Sequence, residues 1–124
     1  MLLLLDECVP PPLKRDNIGH DVRHVADMGW SSKRYGELLQ LMLAGRFEAL
    51  LTVDQNLEFQ QNVRESGVGV IVVLARTNRV KELRPLIPRI LEALARLSPG
   101  ELVRVTALGD PTGPNPTGST PRST

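Results

Sequence analysis

The chain has little of several residue types that common functions depend on. One cysteine stands among its 124 residues, so no internal disulfide can form. Aromatic residues make up only 3%, which argues against a stacking platform for single-stranded nucleic acid. No apolar run approaches the roughly 20 residues needed to span a bilayer. The first run, Leu2–Leu5, is short and ends in acids. It lacks the basic start and the long apolar stretch of a signal peptide. A formal net charge of +1 gives no global drive toward nucleic acid or an anionic membrane. The expectation is a cytoplasmic protein with no membrane segment, long enough for one domain with a real core.

The apolar residues that are present fall into short runs separated by turn signals. Leu2–Leu5, Ala49–Val53 and Val68–Leu74 are apolar without alternation, the pattern of strands buried on both faces of a parallel sheet. His20–Val25 alternates imperfectly and reads as a short strand, and Glu101–Thr106 alternates as an edge strand. Helices are predicted between them. A short one runs through Leu13–Asn17 after three prolines and ends at Gly19. A second starts at Ser31 or Ser32 after the Asp27–Trp30 loop, runs to Ala44, and carries Leu38, Leu39, Met42 and Leu43 as its apolar stripe. A third covers Leu57–Glu65, and a long one Val80–Leu97, with Pro85 and Pro88 kinking or delaying its first turns. The order β-α-β-α-β-α-β-α-β predicts a three-layer α/β/α sandwich with a mostly parallel sheet over residues 1–106. Residues 107–124 are Pro, Gly, Ser and Thr with almost nothing to bury, and read as a disordered tail.

Two of these strands end in acid. Leu2–Leu5 leads directly into Asp6 and Glu7, and Leu50-Leu51-Thr52-Val53 into Asp54. Ligands of open α/β sheets sit just beyond the carboxyl ends of the strands. If the two strands are neighbours, these acids crowd one pocket, and a hard divalent cation is the simplest way to relieve their repulsion. A plainer reading exists. Asp6 can cap the proline-started helix and Asp54 can hold the Gln55-Asn56 turn. Two strands ending in acid at the ligand edge is more than turn chemistry requires, so the site reading is favoured. Phosphodiester hydrolysis needs an activated water and neutralisation of the leaving oxygen, and carboxylate-held ions supply both.

Three fragments sharpen this. Leu-Leu-Asp-Glu-x-x-Pro-Pro (Leu4–Pro11), Gly-His-Asp-Val-x-His-Val (Gly19–Val25) and Leu-Thr-x-Asp-x-x-x-x-Phe (Leu51–Phe59) occur in that order. Together they make residues 1–97 resemble the small PIN-like nuclease family, many of whose members are toxins of toxin–antitoxin pairs. The resemblance implies a Mg²⁺- or Mn²⁺-dependent ribonuclease with a small antitoxin partner. It maps the family's metal-binding acids onto Asp6, Glu7 and Asp54; Glu37, as a helix-borne acid, and Asn56, as an outer ligand, are further candidates beside them. Two departures deplete the cluster. Asn56 stands where the family commonly has a second aspartate, and Tyr35-Gly36 precede a single acid, Glu37, where the family's helix opens with consecutive acids.

Other residues receive plainer readings. His20 and His24 would lie about 13 Å apart along one side of a strand, too far to share a zinc ion, and are read as structural or surface residues. Cys8 lies beside the acidic pair without a recognisable base and is read as an inert thiol. Trp30 is either core or a partner surface. The basic residues Arg76, Arg79, Lys81, Arg84, Arg89 and Arg96 are a solvated helix face, or else attract RNA phosphates or an acidic partner segment. The amphipathic helix they sit on and the family resemblance together suggest a homodimer or a toxin–antitoxin assembly. Two other functions compete. One is a PIN-like module that has lost catalysis and survives as a binding partner. The other is a phosphoacceptor domain of the receiver type, which Val105-Thr106 disfavours because it offers no lysine where that chemistry needs one.

Overall fold

The computed structural model describes residues 1–16, 19–55 and 62–106. Five strands form one sheet: β1 (Leu2–Leu5), β2 (Asp21–His24), β3 (Ala49–Thr52), β4 (Gly69–Leu74) and β5 (Leu102–Thr106). They lie in the order β2-β1-β3-β4-β5, and every pair is parallel. The α/β sandwich expected from the run pattern is therefore present, with a wholly parallel sheet. The apolar strands have side chains on both faces to bury, which explains why they do not alternate. Leu3, Leu5, Ala49, Leu51, Ile71 and Val73 form one core with Leu13, Leu83, Ile87, Ile90 and Leu94. Leu4, Leu50, Val70 and Val72 form the other with Leu38, Leu39, Met42 and Val63.

The helices depart from the sequence pattern for identifiable reasons. The first is a 3₁₀ turn, Pro11–Asp16. The second, α1 (Tyr35–Ala44), starts later than either serine. Ser32 adopts a left-handed backbone (φ 66°) and gives its N–H to Glu7 Oε1 at 2.6 Å, so it serves a loop rather than a helix cap. Leu43, expected on the buried stripe, is 59% exposed. The inward row is Tyr35, Leu38, Leu39 and Met42, spaced i, i+3, i+4, i+7, and Leu43 falls one position beyond it. Of the third expected helix, α2 (Asn62–Ser66) is described, and 57–61 lie outside the described residues. The long basic helix is divided into α3 (Val80–Leu83), a 3₁₀ turn (Arg84–Leu86) and α4 (Ile87–Arg96). Pro85 and Pro88 supply no backbone N–H, so the ladder breaks around them.

The expected tail at 107–124 and the candidate ligand Asn56 lie outside the described residues. Among the described residues no helix is long and apolar enough to cross a membrane. Trp30 belongs to the α1-side core, meeting Phe47 edge-on with ring centroids 5.7 Å apart.

Candidate active site at the carboxyl ends of β1 and β3

The chain passes from β1 to β2 on one side of the sheet and returns to β3 on the other. The crevice between β1 and β3 is thus the topological switch point, where open α/β sheets bind their ligands. Backbone pairing runs on past the end of β1, since Asp6 N–H donates to the Leu51 carbonyl of β3 at 2.9 Å. Asp6, Thr52 and Asp54 continue the rows of Leu4 and Leu50, which face α1. Tyr35 is the first residue of α1 and belongs to its inward row, so its ring arrives over the same crevice.

The four side chains meet at Asp6, which is 4% exposed. Its Oδ2 accepts from the Thr52 hydroxyl at 2.7 Å and from the Tyr35 hydroxyl at 2.5 Å. The Cys8 thiol approaches the same oxygen at 3.7 Å and lies 3.4 Å from the Thr52 hydroxyl. Asp6 Oδ1 accepts the Glu7 N–H at 2.8 Å. The Tyr35 hydroxyl is also 3.0 Å from Asp54 Oδ2. The two carboxylate oxygens are therefore no more than about 5.5 Å apart, the sum of the contacts they share with that hydroxyl. Thr52 accepts the Asp54 N–H at 3.0 Å. This explains the Thr-x-Asp spacing physically: one hydroxyl turns the chain into Asp54 and supports the aspartate of the next strand.

Burial, and then the hydrogen bond to Asp6, push the Tyr35 phenol far above its ordinary range, so it remains a neutral donor. Burial likewise raises the Cys8 thiol, and the charges of Asp6 and Asp54 add to the effect. Cys8 is held as a thiol, consistent with an inert role.

Of the sequence-predicted residues, Asp6 and Asp54 are brought together. Glu7 is exposed and bonds the Ser32 loop. Glu37 is 56% exposed on its side chain, 3.7 Å from Lys33, and lines a groove between α1 and α2 with Leu43 and Glu65. Two positions beyond Tyr35, it points about 200° away around the helix. Among the described residues no group of three or more His, Cys, Asp or Glu side chains is placed to hold a metal ion. Two carboxylates with hard oxygens are nonetheless a donor set that fits Mg²⁺, which keeps several waters and accepts one or two protein carboxylates. Asp6 and Asp54 would hold it.

Sequence reading passed over three residues. Thr52 and Tyr35 organise the pair, and extending the α1 periodicity back one turn would have put Tyr35 on the inward row. Asn78 was the third. Its amide donates to the Cys8 carbonyl at 3.0 Å, joining the loop after β4 to the loop after β1. That places exposed Arg76 and Arg79 in the loop at this edge, not on a helix. His24 is structural. It is 4% exposed, its Nδ1 accepts from Ala26 N–H at 3.1 Å, and its Nε2 therefore donates to the Val9 carbonyl at 2.7 Å. This pins the loop that follows Asp6. Comparison with family models, with curated proteins and with solved structures finds no match for the chain.

Proposed function

We propose that the domain is a metal-dependent ribonuclease of the PIN-like type, acting as the toxin of a toxin–antitoxin pair in the cytoplasm. The observation that carries this is the convergence of Asp6 and Asp54 from adjacent strand ends at the switch point, bridged by a single hydroxyl. Neither a helix cap nor a turn requires two carboxylates to face one another across strands. A bound Mg²⁺ or Mn²⁺ would supply an activated water and charge neutralisation at the phosphate. The chain's own part is to hold the two carboxylates at fixed spacing, through Thr52 and the Glu7 N–H, and to present Arg76 and Arg79 beside them for the RNA backbone. The groove of about 550 Å³ between α1 and α2, beside exposed Leu43, offers a surface for the small antitoxin or for a second copy.

The test is metal-linked stability together with cleavage. Mn²⁺ or Mg²⁺ at about 100 times its dissociation constant should stabilise the intact protein by about 2.7 kcal/mol. Asp54→Asn should abolish that gain and any cleavage of RNA, while leaving the metal-free protein as stable or about 1 kcal/mol stabler. The reason is electrostatic: the amide removes one of two like charges that face the same hydroxyl. An intact protein that ignores divalent ions, with an Asp54→Asn variant that is destabilised, returns Asp54 to a turn role.

A second reading, a binding module without catalysis, is favoured by the absence of a third acid beside the pair among the described residues. Its signature would be tight capture of the operon partner with no cleavage at any divalent ion concentration.

A further inference from the structure

Tyr35 is the sole tyrosine of the chain. Its hydroxyl lies 2.5 Å from Asp6 Oδ2 and 3.0 Å from Asp54 Oδ2. Asp6 and Asp54 are the residues that would hold a divalent cation, and the hydroxyl already stands against the facing oxygen of each. We infer that Tyr35 is a built-in competitor for the cation: its hydroxyl closes the carboxylate pair, and an ion enters only as that side chain withdraws. The inference rests on the metal-dependent reading above.

Three features support it. Asp6 Oδ2 already receives two hydroxyl donors and a thiol, so it has no lone pair to spare for an ion while Tyr35 stays in place. The hydroxyl is shared between the two carboxylates, 2.5 Å from one and 3.0 Å from the other, so it already engages the facing oxygen of each. The start of α1 is also lightly held. Arg34 at its N-cap makes no side-chain capping bond, and the preceding loop turns through left-handed Ser32. Withdrawal of Tyr35 therefore loosens only the first turn, since Leu38, Leu39 and Met42 anchor the rest of α1. The consequence is a domain that resists weak metal occupancy and couples cation entry to the position of α1.

The test uses the intact protein with 3-fluorotyrosine in place of tyrosine, which gives one fluorine resonance, alongside calorimetric titration with Mg²⁺. Magnesium should move that resonance with the midpoint seen in calorimetry. Tyr35→Phe keeps the ring but removes the hydroxyl, and should bind Mg²⁺ at least about tenfold more tightly. Heat of binding with an unmoved resonance, and equal affinity in Tyr35→Phe, would overturn the competitor while leaving the metal site standing. No binding by either protein would overturn both. Should Tyr35→Phe fold poorly, the wild-type resonance decides alone.

Discussion

Charged residues gather in two parts of this molecule and are held in opposite ways. At the β1/β3 edge, Asp6 is buried and receives four hydrogen-bond donors from Glu7, Cys8, Tyr35 and Thr52. At the far edge, a groove of about 370 Å³ between α4 and β5 carries Arg89, Arg96 and Arg104 with Glu92 and Glu101, open to water. The first set is fixed by short bonds between neighbouring strands and one helix start. Its two carboxylates already face one hydroxyl, that of Tyr35. The second is a solvated surface whose charges are screened by salt. The number of charges is therefore a poor guide to function here, and the number of donors committed to each charge is a better one.

Deleting the central acceptor probes the first region hardest. Asp6→Ala strands the Thr52 hydroxyl and the Glu7 N–H and leaves the Tyr35 hydroxyl only Asp54, and should cost about 3 kcal/mol in thermal or urea unfolding. A loss below about 1 kcal/mol would mean that the network is no better organised than the open groove. A smaller effect is expected on the alkaline side. The folded state keeps the Cys8 and Tyr35 protons that the unfolded chain releases at their ordinary values of 9.0 and 10.0. Stability should thus be intact below pH 9 and fall as pH rises beyond it. Tyr35→Phe should flatten the part of that decline above pH 10, and an unchanged decline would contradict the buried phenol. The smallest effect belongs to the arginines. Arg89→Ala and Arg96→Ala should change stability by no more than about 0.5 kcal/mol. Arg76→Ala and Arg79→Ala should be equally mild for folding, but each should lower the salt slope of RNA binding by about 1. If the α4 substitutions weaken RNA binding instead, the roles of the two edges are reversed.

The uneven legibility of the sequence follows the same division. Strands buried on both faces announce themselves as unbroken apolar runs, so Leu2–Leu5 and Ala49–Val53 were readable within one residue. The acids at their ends were readable because a parallel sheet delivers strand ends to one edge. Glu37 was misleading, since a first-turn acid satisfies the helix dipole whichever way it points, and here it points toward Lys33. The start of α1 was misread because Ser32 has the composition of a cap yet sits in a left-handed turn. Tyr35 and Thr52 were hidden by their ordinariness. An aromatic at the end of an apolar stripe and a hydroxyl in a strand are core-compatible residues, and only the third dimension shows that both face Asp6.

The hydrogen bond from Asp6 N–H to the Leu51 carbonyl carries one more consequence. It carries the β1/β3 pairing one residue further, so Asp6 stands level with Thr52, two residues before Asp54, on strands that lie about 4.7–4.9 Å apart in proteins generally. The carboxylate edge thus takes its scale from the backbone, which side-chain substitution does not alter. Lengthening or shortening the surface loops would change what reaches the carboxylates without changing the gap between their strands. A designer wishing to retune this crevice therefore has a constant ruler, and can vary the residue at position 35 as the removable part.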